Sequence, residues 1–377
     1  MVILQVMSCI EYGGTEAFVY NHCKKLIEDY KCRVILLICG DHINMERRND
    51  FEQLGIKIYK SKVPSVRNYT TIYKDIKRIK AAEQIDVIHS HMNLGSFVIM
   101  HCAYKLGIKQ RIAHSHDTAG YSTNFIRRRE QMLRKSIMVH DSTRLAACSR
   151  DAGRYLFGKA FEKEYAEVIP NGIDAEQYNK CDLEKISYLK KEYQLEDKYV
   201  IGNITRFDEK KNQKFLVEIF AEIAKKEKDA VLVLGGVDAG KESEIKKLTQ
   251  TLQIEDKVRF IGIRKDMQVW MQLMDLWVMP SLFEGFGIVL VEAQFSGLRC
   301  IVSDQVSRES DLQYGLIEYL SLEDREAWIQ KIQYAYADRS KVSKRDLQQR
   351  NEASPYNIKN SAKKLYEMYK SNGDFRK

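Results

Sequence analysis

Short apolar runs alternate with amphipathic stretches, in two successive series, and this pattern constrains the chain more than any other feature. Val2–Val6, Arg33–Cys39, Val87–His89 and Arg111–Ala113 read as strands, with Thr15–Tyr30 and Ile72–Glu83 as helices between them. The pattern restarts after the turn-rich Pro170-Asn171-Gly172-Ile173-Asp174, which follows a strand at Glu167–Ile169. Val200–Ile204, Ala230–Leu234, Val258–Ile261, Leu276–Met279 and Cys300–Val302 are the next strands. Helices are expected at Gln213–Lys226 and from Gly287 to Ser296. Alternating strands and helices imply right-handed βαβ units around a parallel sheet. The expected fold class is therefore α/β, with two Rossmann-like domains facing a cleft. Residues 1–169 form the first, 170–355 the second, and 356–377 a helix returning to the first, with Ala362, Leu365 and Tyr366 on its apolar stripe. Ligands of open α/β sheets bind at the carboxyl ends of the strands.

The 377 residues exceed the usual size of one domain, and 44% hydrophobic content suffices for two cores. The eight cysteines include no C-x-x-C pair, so reduced, mostly buried thiols are expected rather than zinc or redox chemistry. Met1–Ile10 has neither a basic leader nor a small-residue cleavage site, and reads as the first strand. No apolar run approaches a membrane span. These features predict a cytoplasmic protein. The net charge of +9 favours anionic partners. It is concentrated in residues 121–150, where Arg127, Arg128, Arg129, Arg134, Lys135, Arg144 and Arg150 face only Glu130 and Asp141. A basic amphipathic helix there would suit an anionic membrane surface, at the inner face of the plasma membrane. A solvated helix face is the alternative. No aromatic-studded basic groove motif occurs, so nucleic acid is not an expected partner.

Four constellations carry chemistry. Gly13-Gly14-Thr15-Glu16 follows the first strand and opens a helix, where backbone N–H groups can approach an anion. It is not the dinucleotide G-x-G-x-x-G fingerprint. Arg206 and Lys211 follow the first strand of the second domain, a position suited to a diphosphate. Glu284 and Glu292 stand eight residues apart in Pro280–Ala293, one in a strand-end loop and one on the following helix. The first suits sugar hydroxyls and the second a ribose, while Gly287 opens the helix as a further anion seat. Last, His89-Ser90-His91 and His114-Ser115-His116-Asp117 end two successive strands. His-x-His can bind metal, but no third ligand of suitable type is evident, so substrate contact is the favoured reading. No D-x-D occurs, so no metal and no cofactor are expected at the diphosphate.

Taken together these motifs resemble the retaining GT-B glycosyltransferases of family 4, also called glycosyl transferases group 1. The resemblance covers nearly the whole chain: Gly13–Glu16, Val168–Asp174, Arg206 with Lys211, and the E-x7-E pair Glu284…Glu292. Val87–His91, Arg111–Asp117 and Ala147-Cys148-Ser149 are similar to the subset that builds capsular or exopolysaccharides. The resemblance implies that Arg206 and Lys211 hold the donor diphosphate, with Gly14 near its distal phosphate. It implies that Glu292 binds the ribose, Glu284 touches the transferred sugar, and Gly287, Ile288 and Val289 offer N–H groups. Arg264 falls where the family seats the base. A histidine near the reacting centre is implied; His116 is the better match and His114 the alternative. The chain departs from the family at Gly235-Gly236-Val237-Asp238, where many relatives carry a glycine-acid-glycine turn on the nucleobase side.

The expected activity is transfer of a sugar from a nucleoside diphosphate, a uridine donor by family frequency, to a hydroxyl of a glycan or lipid-linked acceptor. A sugar-nucleotide epimerase or hydrolase is the second enzymatic reading, and an inactive partner subunit the third. Retention of Arg206, Lys211, Glu284 and Glu292 argues against the third.

Overall fold

The computed structural model describes every residue apart from 12, 117–124, 164, 285, 339–343 and 372–377. Gly285, Asp117 and residues 121–124 of the basic segment therefore lie outside the described residues. The chain forms two compact units, Met1–Ile173 with Pro355–Lys377, and Asp174–Ser354.

The first unit is built on seven parallel strands: β1 (Val2–Met7), β2 (Arg33–Ile38), β3 (Lys57–Lys60), β4 (Val87–Ser90), β5 (Gln110–Ser115), β6 (Arg144–Ala147) and β7 (Ala166–Val168). Their order is β3-β2-β1-β4-β5-β6-β7. Burial on both faces explains why the inner strands read as near-continuous apolar runs. Side chains alternate between two cores. Leu4 and Val6 join Ile35 and Leu37 under the helix Tyr69–Glu83, which contributes Ile72, Ile76 and Ile79. Ile3 and Met7 point the other way, with Val34, Leu36 and Ile38, against the helix Gly14–Glu28. Gln5 shares that second face and is buried, an amide in the middle of an apolar strand.

The helix Ile358–Lys370 closes the second core. Asn357 caps it, and Ile358, Ser361, Ala362, Leu365, Met368 and Tyr369 form its buried stripe at helical spacing. Its polar ties to the sheet and the first helix include the following. His22 Nε2 pairs with Ser361 Oγ at 2.7 Å, Gln110 Nε2 donates to the Ser371 carbonyl at 2.7 Å, and Arg144 donates to Ser371 Oγ at 2.6 Å. Gly172 allows the return segment to approach, since a Cβ there would stand 2.9 Å from Ile358 Cα.

The second unit has six parallel strands: β8 (Tyr199–Ile204), β9 (Ala230–Gly235), β10 (Val258–Phe260), β11 (Leu276–Met279), β12 (Arg299–Ser303) and β13 (Ile317–Leu320). Their order is β10-β9-β8-β11-β12-β13. Its core gathers β8, β9 and β11 against the helix Gln213–Lys226 and Trp328. In both sheets the strand order reverses direction beside the first strand, between β1 and β4 and between β8 and β11. These are the points where open α/β sheets leave a crevice.

The structure corrects the reading of residues 121–150 as one basic stretch. A helix spans Phe125–Asp141, and Arg144 then begins β6. Arg144 is buried by pairing with Ile112 of β5, and its guanidinium serves Ser371 rather than the surface. Arg134 pairs with Glu130, and Lys135 Nζ donates to the Tyr155 carbonyl. The exposed basic run is thus Arg127, Arg128 and Arg129, followed by exposed Met132 and Leu133.

Candidate active site

In the second unit, three loops at the carboxyl ends of neighbouring strands converge. The loop after β8 carries Arg206 and Lys211. Asp208 caps the turn there by accepting from the Lys211 N–H at 3.1 Å. Gln213 Nε2 donates to the Arg206 carbonyl at 2.9 Å and so fixes the backbone under the guanidinium. The loop after β11 is tied to it by the Leu282 N–H on the Lys210 carbonyl, 2.8 Å, and by Asn212 on the Pro280 carbonyl, 3.2 Å. Glu284 bridges on to Val306 beyond β12. With its backbone held on both sides, Glu284 forms an ion pair with Lys211, both side chains being about one-fifth exposed. Arg206 is exposed and makes no ion pair among the described residues.

Beside this pair the helix Ile288–Phe295 begins. Gly287 precedes it with φ +67°, a left-handed conformation that favours glycine, and a Cβ would also press on Glu284 Cγ at 3.3 Å. No side chain caps this end, so the first N–H groups, those of Ile288 and Val289 among them, are open to an anion. One turn on, Glu292 is half-buried. Burial pushes its carboxyl up to about 7, and a hydrogen bond from the Tyr178 hydroxyl offsets part of that rise. Sequence reasoning missed Tyr178, which lies on the short helix Ala175–Asn179 with no motif to mark it.

Arg264 is placed differently. Its guanidinium makes two 2.9 Å bonds to the Asp266 carboxylate and lies over Trp270, while Lys185 joins the same carboxylate at 3.0 Å. Its side chain is committed within its own loop. A cavity of about 710 Å³ opens at the other end of the sheet, among Tyr199, Asp275, Arg299 and Leu347. Tyr199, Asp275 and Arg299 mark the amino ends of strands, away from the converging loops, and Leu347 lies on the helix Lys344–Ala353.

In the first unit, Gly13 and Gly14 stand at the helix start beside the β1/β4 reversal. A Cβ on Gly13 would fall 2.4 Å from Glu16 Oε2, whereas one on Gly14 would meet nothing within 4 Å. No fold contact requires glycine at position 14.

The two His-x-His segments come together because β4 pairs with β5. A ring nitrogen from each of His89, His91 and His114 lies within 4.8 Å of the others, a grouping able to hold a metal ion. The sequence reading found no third ligand; strand pairing supplies it. The facing nitrogens are, however, used by hydrogen bonds: His89 Nε2 with His114 Nδ1 at 3.0 Å, and His91 Nδ1 with His116 Nε2 at 2.8 Å. Burial, and then neighbouring histidines, hold all four rings in the neutral form, with His116 lowered to about 3. His114 is fully buried. His116 is partly exposed, and its N–H is anchored by Asn93 Oδ1 at 2.9 Å. Between the two candidates, His116 is the one a substrate can reach.

Comparison with known proteins identifies the family. Residues 12–177 match the family model "Glycosyltransferase Family 4", and residues 185–351 match "Glycosyl transferases group 1". EpsF of Bacillus subtilis is 31% identical over 345 residues, 89% of this chain and 88% of its own length. The capsular polysaccharide biosynthesis glycosyltransferase CapH of Staphylococcus aureus is 23% identical, with 98% of both chains covered. HepE of Anabaena, solved in complex with UDP, superposes with a TM-score of 0.81 at 18% identity over 98% of this chain and all of its own. With the two family models spanning both units, the chain belongs to the family 4 glycosyltransferases, of the GT-B fold and similar to polysaccharide-building members.

Proposed function

We propose that this glycosyltransferase moves a sugar from a UDP-sugar to a hydroxyl of a glycan or lipid-linked acceptor, retaining anomeric configuration and using no metal at the diphosphate. The observation that carries the reading is the junction of Lys211, exposed Arg206 and the uncapped helix start at Ile288. Two cationic side chains and a helix N-terminus at one sheet reversal complement a diphosphate. The UDP bound to HepE, a protein of the same fold, supports a uridine donor.

In this mechanism the bond from the anomeric carbon to the diphosphate oxygen breaks first, leaving an oxocarbenium-like sugar. Arg206, Lys211 and the N–H groups of Ile288 and Val289 stabilise the departing charge. An arriving phosphate takes Lys211 from Glu284, which frees that carboxylate to accept from sugar hydroxyls. The acceptor hydroxyl enters on the face the leaving group vacates and passes its proton to the released phosphate oxygen. Glu292 accepts from the ribose hydroxyls; for His116 and Gly14, which belong to the first unit, contact with the sugar and the distal phosphate is what the family resemblance implies.

Each preorganised donor of this type is worth on the order of 3 kcal/mol. Arg206→Ala and Lys211→Ala should therefore each lower kcat by about 10²-fold or more, with the product still the retained anomer by NMR. Near-full turnover in either variant, or an inverted product in the wild type, would overturn the assignment.

The raised carboxyl of Glu292 gives a signed pH dependence. Its ionised form accepts the ribose hydroxyls, so protonation competes with the donor. UDP-sugar affinity should be level well above pH 7 and weaken as the pH falls through that value, by at most roughly tenfold per unit. In Glu292→Gln the slope should vanish. A slope that survives in the variant assigns the titration to another group.

The exposed run Arg127–Arg129 with Met132 and Leu133 is read as a seat on anionic lipid, where a lipid-linked acceptor resides. CapH's role in capsular polysaccharide biosynthesis supports a glycan acceptor. Sedimentation with phosphatidylglycerol vesicles should pull down the wild type and lose the triple variant Arg127→Ser, Arg128→Ser, Arg129→Ser. Equal recovery of both in the supernatant would refute the membrane seat.

A further inference from the structure

Gln5 interrupts an otherwise apolar strand, and its buried amide is the branch point of two hydrogen-bonded chains. In register it stands opposite His89 of β4. Its Nε2 donates to the Tyr369 hydroxyl at 3.1 Å, and its Oε1 faces His91 Nε2 at 2.8 Å. Tyr369, on the helix Ile358–Lys370, in turn meets His89 Nδ1 at 2.6 Å.

The proton positions follow from these contacts one at a time. The Tyr369 oxygen accepts from the amide, and its own proton is satisfied when placed on the bond to His89 Nδ1. His89 then carries its hydrogen on Nε2 and donates to His114 Nδ1. Their centroids lie 5.1 Å apart with planes 10° from parallel, so the two rings meet edge to edge across that bond. His114 is left with Nε2–H, a buried atom with no hydrogen-bond partner. On the other branch Gln5 Oε1 accepts from His91 Nε2–H, so His91 Nδ1 accepts from His116 Nε2–H. His116 is left with a bare Nδ1. One amide orientation thus sets four rings. Reversing it would reverse both chains and turn His116 Nδ1 into a donor.

We propose that Gln5 and Tyr369 are positioning residues that lock His116 as the Nε2–H tautomer, so that its Nδ1 serves as a hydrogen-bond acceptor for a substrate hydroxyl. His116 therefore acts as a neutral acceptor and not as an acid, consistent with the suppressed protonation of the whole cluster. The functional half of this proposal rests on the transferase reading; the tautomer itself does not. The C-terminal helix, which carries no motif of its own, thereby acts on the candidate histidine through two intervening side chains.

The direct test is long-range proton–nitrogen NMR on protein labelled with imidazole ¹⁵N, with His91 and His116 signals assigned by their loss in His91→Gln and His116→Gln. The expected result is Nε2–H at His91 and His116, with Nδ1 unprotonated. Nδ1–H at His116, or an imidazolium near pH 7, overturns the proposal without touching the transferase reading. Tyr369→Phe removes one hydroxyl and keeps the apolar packing. It should give mixed tautomers at both rings and lower kcat/KM for the donor about three- to tenfold, the effect of one hydrogen bond. A variant with lowered thermal stability but unchanged tautomers would reduce Tyr369 to a packing residue and also overturn the proposal. If that variant does not fold, the wild-type tautomer decides alone.

Discussion

Lys211 and Glu284 meet where the loops after β8 and β11 converge, and the surrounding parts of the second unit hold them there. Asp208 fixes the turn under the lysine, while the Leu282–Lys210 and Asn212–Pro280 bonds join the two loops. Gly287 takes a left-handed conformation where the helix starts, and a Cβ there would press on Glu284. Two charges that shelter each other in this way are cheap to keep in a half-buried loop and ready to separate when a stronger anion arrives. Arg206 and the open helix end add positive potential that the single carboxylate does not cancel. In the proposed function the donor diphosphate is the anion that meets this potential.

The first unit follows a different logic. Its polar cluster is neutral, buried and hydrogen-bonded, and it contributes geometry rather than charge. Desolvation makes protonation of these histidines costly, so their effect on a substrate depends on which nitrogen carries the hydrogen. That choice traces back through His91 to an amide in β1 and a phenol on the last helix. Folding the C-terminal helix onto the first unit thus has a chemical consequence as well as a packing one.

Much of this was legible in the sequence because the signals are local. Val200–Ile204 and Leu276–Met279 are apolar runs that pair almost as read, and Gln213–Lys226 is the helix its spacing implies. Arg206, Lys211, Glu284 and Gly287 follow those strands directly, so finding the strands found the residues. The strands β3, β6 and β13 were not legible, since Lys57-Ile58-Tyr59-Lys60 and Arg144-Leu145-Ala146-Ala147 mix charge into short edge or near-edge segments. Arg144 looked like part of a basic face because its pairing in the sheet and its bond to Ser371, far along the chain, leave no local signal. Tyr178, Gln5 and Tyr369 act through contacts that no local pattern encodes. Only Gln5 gave a signal, as the lone amide in Val2–Met7. The histidines were all legible, but the grouping of His114 with His89 and His91 was not, because it arises through β4–β5 pairing rather than through spacing.

The central claim is that protein charges, and not a metal ion, hold the donor diphosphate. Calorimetric titration of the full chain with UDP-, GDP- and ADP-sugars in EDTA, repeated with magnesium, tests it most directly. The account predicts that a UDP-sugar binds in EDTA with an affinity magnesium does not improve. Binding that appears only when the divalent ion is restored would contradict it.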